Sequence, residues 1–120
     1  MKKLDEKLCE KIKYALSNSW SIESSTKWSK ENIAKGQCGV TTLVVHDLLG
    51  GEILKTKLLD DWHFYNSING KRYDFTDSQF KGAIEYMDAP SNREEAYLDT
   101  NETKYSYLKQ KVLNILEQLL

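Results

Sequence analysis

The dipeptide Asn69-Gly70 leaves the middle of this chain little freedom. Both residues tolerate the positive φ of a type I′ turn, the two-residue connection whose twist matches paired strands. It is flanked by Trp62-His63-Phe64-Tyr65-Asn66-Ser67-Ile68 and by Lys71-Arg72-Tyr73-Asp74-Phe75, both rich in aromatic residues. A two-residue loop sets the register: Ile68 faces Lys71, Tyr65 faces Asp74 and His63 faces Thr76. Alternation then places His63, Tyr65, Ser67, Arg72, Asp74 and Thr76 on one face. Trp62, Phe64, Asn66, Ile68, Tyr73 and Phe75 take the other. The second face is apolar and is expected to pack on a core. The first collects polar groups, with His63 and Asp74 as diagonal neighbours within side-chain reach.

The remaining segments arrange themselves around this hairpin. Residues 51–59 alternate loosely and read as a further strand, with a turn at Asp60-Asp61. Residues 3–18 carry Leu4, Leu8, Cys9, Ile12, Ala15 and Leu16 at three- and four-residue steps, an amphipathic helix. Residues 17–36 are serine-rich but hold Trp20 and Trp28, as expected of an ordered loop whose rings close the edge of the core. Ser29 to Asn32 would cap a short turn there. Residues 37–49 predict a helix with Val40, Leu43, Val44 and Leu48 facing inward, ended by Gly50-Gly51. Residues 76–100 are loop-rich, with a short helix expected from Pro90 through Ala96 and Tyr97. Residues 102–120 predict a last helix whose stripe (Tyr105, Leu108, Val112, Ile115, Leu116, Leu119) would cover the apolar sheet face. The expected fold is a single α+β domain over residues 1–120, a central helix on a small antiparallel sheet flanked by terminal helices.

Charge and composition exclude several classes. Seventeen basic and 18 acidic side chains give a net charge of −1, which argues against a general nucleic-acid binder. No apolar run approaches the ~20 residues of a membrane span, and Met1 to Lys7 lack the apolar region of a signal peptide. A cytoplasmic protein is expected. Cys9, Cys38, His46 and His63 include no closely spaced ligand pair, so neither a metal nor another cofactor is expected. Cys9 belongs to an apolar stripe and reads as a small buried hydrophobe. His46 lies too far along its helix from Cys38 to serve it.

The chemistry concentrates at Lys35-Gly36-Gln37-Cys38-Gly39-Val40. Glycine releases the chain, and Cys38 falls in the first turn of the following helix. Unpaired N–H groups and the helix dipole would favour a thiolate there. A thiol nucleophile also needs a base and donors for the oxyanion formed on the attacked carbonyl. His63 is the candidate base and Asp74 its orienting acid, with Asp77 a rival beyond the strand end. The Cys38 N–H and the Gln37 amide are the candidate oxyanion donors. Trp62 and Tyr65 would line and shield the substrate site. Arg72 either contacts substrate or is a surface charge.

A helix-N-terminal Cys followed by a strand His and a strand Asp resembles the transglutaminase and papain-like thiol enzymes. The blocks Gly36-Gln37-Cys38-Gly39-Val40-Thr41, Gly50-Gly51-Glu52-Ile53, His63-Phe64-Tyr65-Asn66 and Asp74-Phe75-Thr76 with Gln79-Phe80 are similar to a small bacterial family, the YunG-like proteins. They span roughly Trp20 to Phe80. The resemblance implies a Cys–His–Asp template on a papain/transglutaminase-like core and leaves the substrate unnamed. Two functions follow as expectations. One is a cysteine-dependent hydrolase or acyltransferase acting on a peptide, amide or thioester carbonyl. The other is a non-catalytic binding or adaptor protein on the same fold. A redox thiol is weaker, since no resolving cysteine lies near.

Overall fold

The hairpin forms in the register that its turn dictates. In the computed structural model, which describes residues 5–59 and 61–119, Asn66 pairs with Tyr73, Ser67 with Arg72 and Ile68 with Lys71. Asn69 and Gly70 take φ of 54° and 78°. The strands are β1 (Glu52–Leu58), β2 (Asp61–Ile68), β3 (Lys71–Tyr73) and β4 (Ala89–Ser91), in an antiparallel sheet ordered β3-β2-β1-β4. The helices are α1 (Glu6–Ser17), α2 (Cys38–Leu49), α3 (Arg93–Tyr97) and α4 (Glu102–Leu119). The fold is α+β, with the Cys38 helix packed on the sheet. Of the expected terminal helices and turn, Lys3, Leu4, Asp60 and Leu120 lie outside the described residues.

Helix α2 is buried all round. Every residue from Cys38 to Val45 is inaccessible, polar Thr41 and Thr42 included. A helix apolar on every side belongs between layers. One side of α2 meets β1 and β2, where Cys38 and Leu43 pack with Ile53 and Phe64. The other side meets α1 and α4 through Ile12, Leu16, Leu108 and Val112, while α3 joins the sheet-side cluster through Ala96. The stripe of α4 therefore packs chiefly on α1 and α2, not on the sheet as expected, because α2 already fills that position. The tryptophans behave as rings that close the core. Trp20 is buried with its Nε1–H donating to Thr41 Oγ1 at 2.9 Å, and Trp28 packs against the same cluster.

Three expectations change between residues 71 and 97. Strand β3 ends at Tyr73, so the Asp61–Tyr65 part of β2 has no partner on that side among the described residues. Pro90 does not begin a helix; it lies in β4, beside Leu54 of β1, and α3 begins at Arg93 with the Asn92 side chain accepting from Glu95 N–H. A proline donates no ladder hydrogen bond, so an edge strand suits it. The sheet face holding His63 and Tyr65 is also not left to solvent. Residues 76–88 cross it. Phe80 meets the His63 ring edge-on at 4.9 Å, Tyr86 meets Tyr65 likewise at 4.9 Å, and Thr56 Oγ1 donates to the Glu85 carbonyl. Asp88 ends the crossing. It takes a bidentate pair from Arg72 at 2.8 and 2.6 Å and exchanges hydrogen bonds with the Tyr65 hydroxyl. Arg72 is thus a clasp on this segment.

Two glycines with similar φ separate backbone strain from crowding. Gly70, at φ +78°, faces open space, whereas a Cβ on Gly51, at φ +79°, would lie 2.3 Å from the Ser67 carbonyl oxygen. Urea unfolding of Gly70→Ala is expected to show a loss of about 1–2 kcal/mol, the cost of a left-handed residue. Gly51→Ala is expected to lose a further ~1–3 kcal/mol from the backbone collision.

Candidate active site

The packing of α2 along β2 determines where its N-terminus points. Thr42 of α2 accepts, through its carbonyl, a hydrogen bond from Asn66 Nδ2 of β2 at 3.1 Å. One turn earlier on α2, Cys38 falls against Phe64. His63, the next residue back on β2, belongs to the opposite sheet face, yet Cys38 and His63 line a single cavity of about 330 Å³. The open edge left where β3 stops is what brings a residue above the sheet and one below it to a common space. Gly36, Trp62, Phe80 and Asp99 are also on its wall, with Lys27 and Lys35.

His63 is 3% exposed and held by its Nε2, which lies 2.6 Å from Asp74 Oδ2. Asp74 is itself constrained on both oxygens. Oδ1 accepts from the Thr76 N–H and hydroxyl at 3.1 and 3.3 Å, and Oδ2 accepts from the Tyr86 hydroxyl at 2.8 Å. A carboxylate facing Nε2 selects the tautomer that carries the proton there. The other ring nitrogen, Nδ1, is buried without a hydrogen-bond partner among the described residues and is therefore a free acceptor. Asp77, the rival acid, opens a single turn of 3-10 helix (Asp77–Gln79), and its carbonyl accepts from Phe80 N–H at 3.1 Å. That turn serves the site differently: Gln79 Oε1 accepts from Gly36 N–H at 3.4 Å.

Cys38 is buried, and its surroundings oppose the expected thiolate. Sγ lies 3.5 Å from Asp99 Oδ2, and the same oxygen accepts from the Gly39 N–H at 3.3 Å. A carboxylate therefore occupies the anion seat at the N-terminus of α2. Burial and this adjacent charge push the Cys38 thiol up to about 12, against a downward pull from the backbone N–H of Phe64. Desolvation of its carboxylate beside Cys38 raises Asp99 as well, although the residue as a whole is exposed, against the hydrogen bonds from Cys38 and Gly39. The α2 dipole favours a thiolate, but the turn between α3 and α4 supplies a competing anion.

The other proposed residues separate. Trp62 is on the cavity wall, and its ring carries the Lys55 ammonium at 4.4 Å. Tyr65 lies behind His63, stacked at 5.9 Å between ring centroids, with its hydroxyl on Asp88. Gln37 is wholly buried and its amide is spent on the serine loop: Ser24 Oγ donates to Oε1 at 2.7 Å and Nε2 donates to the Ser21 carbonyl at 3.4 Å. It holds the loop against α2. Cys9 is half-buried, and His46 bonds Arg93 near the C-terminal end of α2.

Asp99 and Tyr86 were missed by sequence reasoning. Tyr86 sits in an aperiodic segment and left no signal. Asp99 left an indirect one in Gly39. A Cβ there would lie 2.7 Å from Asp99 Cβ and 2.8 Å from the Ala96 carbonyl oxygen. A glycine in the first turn of a helix marks a close approach by another part of the chain.

The family model described as YunG protein matches residues 8–117. The chain belongs to the YunG family. It is 56% identical over 101 residues to the uncharacterized protein YunG of Bacillus subtilis strain 168, covering 84% of this chain and 88% of that protein. No solved structure matches the chain. Three of the four YunG blocks noted in the sequence gather at one place: Gly36 and Cys38, His63, and Gln79-Phe80 all wall the cavity, and Asp74 stands behind His63, while Gly50-Gly51-Glu52-Ile53 lies beyond the far end of α2. Among the described residues, no helix is long and apolar enough to cross a membrane.

Gln37→Ala leaves a void and strands Ser24 in a sealed interior. It is expected to lower the urea-unfolding free energy by roughly 2–4 kcal/mol.

Proposed function

We propose that this YunG protein is a cysteine-dependent hydrolase or acyltransferase in which Cys38, His63 and Asp74 act as a papain- or transglutaminase-like triad. The observation that carries this reading is the free Nδ1 of His63. It is a buried, unpaired acceptor on a ring whose other nitrogen is held by a carboxylate, and His63 lines the same cavity as Cys38. An orphaned acceptor in a dry interior costs roughly 1–3 kcal/mol. A waiting proton transfer is a function that accounts for that cost.

The thiol is neutral at rest, so the proton leaves during attack and not before it. Cys38 Sγ bonds to the carbonyl carbon of an amide or thioester while its proton passes to His63 Nδ1. The imidazolium that forms keeps Nε2–H on Asp74, and the Tyr86 and Thr76 donors hold that carboxylate in place. Amides of the first turn of α2 face the oxyanion. Collapse of the tetrahedral intermediate breaks the bond to the leaving group, which takes the proton from Nδ1. A thioester on Cys38 remains. Water or an amine then attacks it, with His63 accepting the proton from the nucleophile and returning it to sulfur.

The alternative is a binding or adaptor protein that keeps the fold without the chemistry. Asp99 favours it, because a carboxylate on Sγ opposes ionisation. Intact-mass spectrometry after exposure to small aryl thioesters distinguishes the two. The enzyme reading expects one acyl group on Cys38, absent in Cys38→Ala. His63→Ala is expected to slow acylation by about 100-fold or more, the usual worth of a positioned base. Equal rates in wild type and His63→Ala, or acylation confined to Cys9, favour the binding protein.

A further inference from the structure

We propose that Asp99 is a fourth functional residue of this site, a resting-state latch that keeps Cys38 a thiol and occupies the acyl-oxygen position until substrate displaces it. The inference rests on the reading of Cys38 as nucleophile. One oxygen, Oδ2, serves both contacts: it faces Sγ at 3.5 Å and accepts the Gly39 N–H at 3.3 Å. The first-turn amides of α2 are where a carbonyl attacked by Cys38 would place its developing charge. Ionised Asp99 and an oxyanion cannot share the Gly39 donor. While Asp99 stays, the thiol hydrogen points to it and the Nδ1 of His63 remains without a partner.

The latch is mounted outside the helices, with its backbone N–H on the Ala96 carbonyl and only its side chain on α2. Asp99 lies in the short connection between α3, which ends at Tyr97, and α4, which begins at Glu102. Leu98 beside it is exposed. Asp99 also borders a second cavity, of about 230 Å³, on the far side of Trp62, with Lys55, Phe64, Glu95 and Leu98. A carboxylate leaving Gly39 thus has adjoining open space to enter. Gly39 completes the device. A Cβ there would strike Asp99 and the Ala96 carbonyl, so only glycine admits the latch. Substrate entry then exchanges one acceptor for another on the Gly39 N–H: the acyl oxygen arrives, Asp99 withdraws, and the thiol proton turns to His63.

Other charges act on the pair, and the test must keep them unchanged. Lys27 from the serine loop, Asp61 at the start of β2, His63 on β2 and Asp74 after β3 all surround Cys38 or Asp99. Asp99→Asn alters none of them. It keeps an oxygen for the Gly39 N–H, so a merely structural role survives the change while the negative charge is lost. In a Cys9→Ser background, the thiolate ultraviolet absorbance of Cys38 is titrated with and without Asp99→Asn. The midpoint is expected to fall by about one pH unit or more in the Asn variant, the usual effect of removing an adjacent like charge. Alkylation by iodoacetamide at pH 7 is expected to rise by about threefold or more for each unit, since the gain in thiolate outweighs its lower nucleophilicity. An unchanged or higher midpoint overturns the latch. Should Asp99→Asn fold poorly, the unvaried charge background is read in the Cys9→Ser protein alone: a Cys38 midpoint at or below that of a free thiol, about 8.5, equally overturns it. Aryl-thioester acylation of His63→Ala reports separately on the nucleophile reading. A slowed His63→Ala beside an unshifted Asp99→Asn removes the latch and leaves the triad.

Discussion

The site depends on the burial of α2 from Cys38 to Val45. An α-helix without a polar face is stable only between two apolar layers, and here the sheet supplies one and the terminal helices supply the other. Enclosure on both sides allows the helix little latitude in rotation or translation. The Asn66–Thr42 hydrogen bond adds a polar reference point in an otherwise apolar contact. The thiol in the first turn of such a helix is placed by the core itself. The cost falls on the thiol, which is taken out of water.

Two aspartates near that thiol illustrate how placement separates residues of one type. Asp74 has donors on both oxygens, from Thr76, Tyr86 and His63. It is locked, and its work is to hold a ring. Asp99 has one oxygen on two weak donors, Sγ and the Gly39 N–H, and sits on a connection between helices. A buried carboxylate with several short hydrogen bonds is fixed structure, while a more exposed one with few and long contacts is easily exchanged for another anion. That contrast is the physical reason for assigning one to orientation and the other to restraint.

The segment from Thr76 to Asp88 contributes more than its composition suggests. It has almost no regular structure, yet it seals one sheet face by placing Phe80 and Tyr86 on His63 and Tyr65. Its closure depends on Asp88, which holds positive φ and joins Arg72 to the Tyr65 hydroxyl. Sealing raises the strength of the His63–Asp74 interaction, because water no longer competes for either partner. The same sealing leaves Nδ1 of His63 without a solvent partner.

The sequence by itself determined the long helices and the two-residue turn. The apolar steps of 6–17 and 102–119, the glycines after Leu49 and the Asn69-Gly70 pair each carry their structural meaning within a few residues. Register followed, and with it the placing of His63 and Asp74 on one face, since a two-residue loop and a period of two admit one pairing. Tertiary structure decided what touches the sulfur. Asp99 is 61 residues from Cys38 along the chain, and Tyr86 approaches Asp74 from a segment with no periodicity. It also turned Gln37 toward the serine loop and set α4 against α1 and α2 instead of the sheet. Periodicity reports which face of an element is apolar, not which element covers it. The charges that govern a buried thiol come from whichever segment arrives, and that depends on how the layers close.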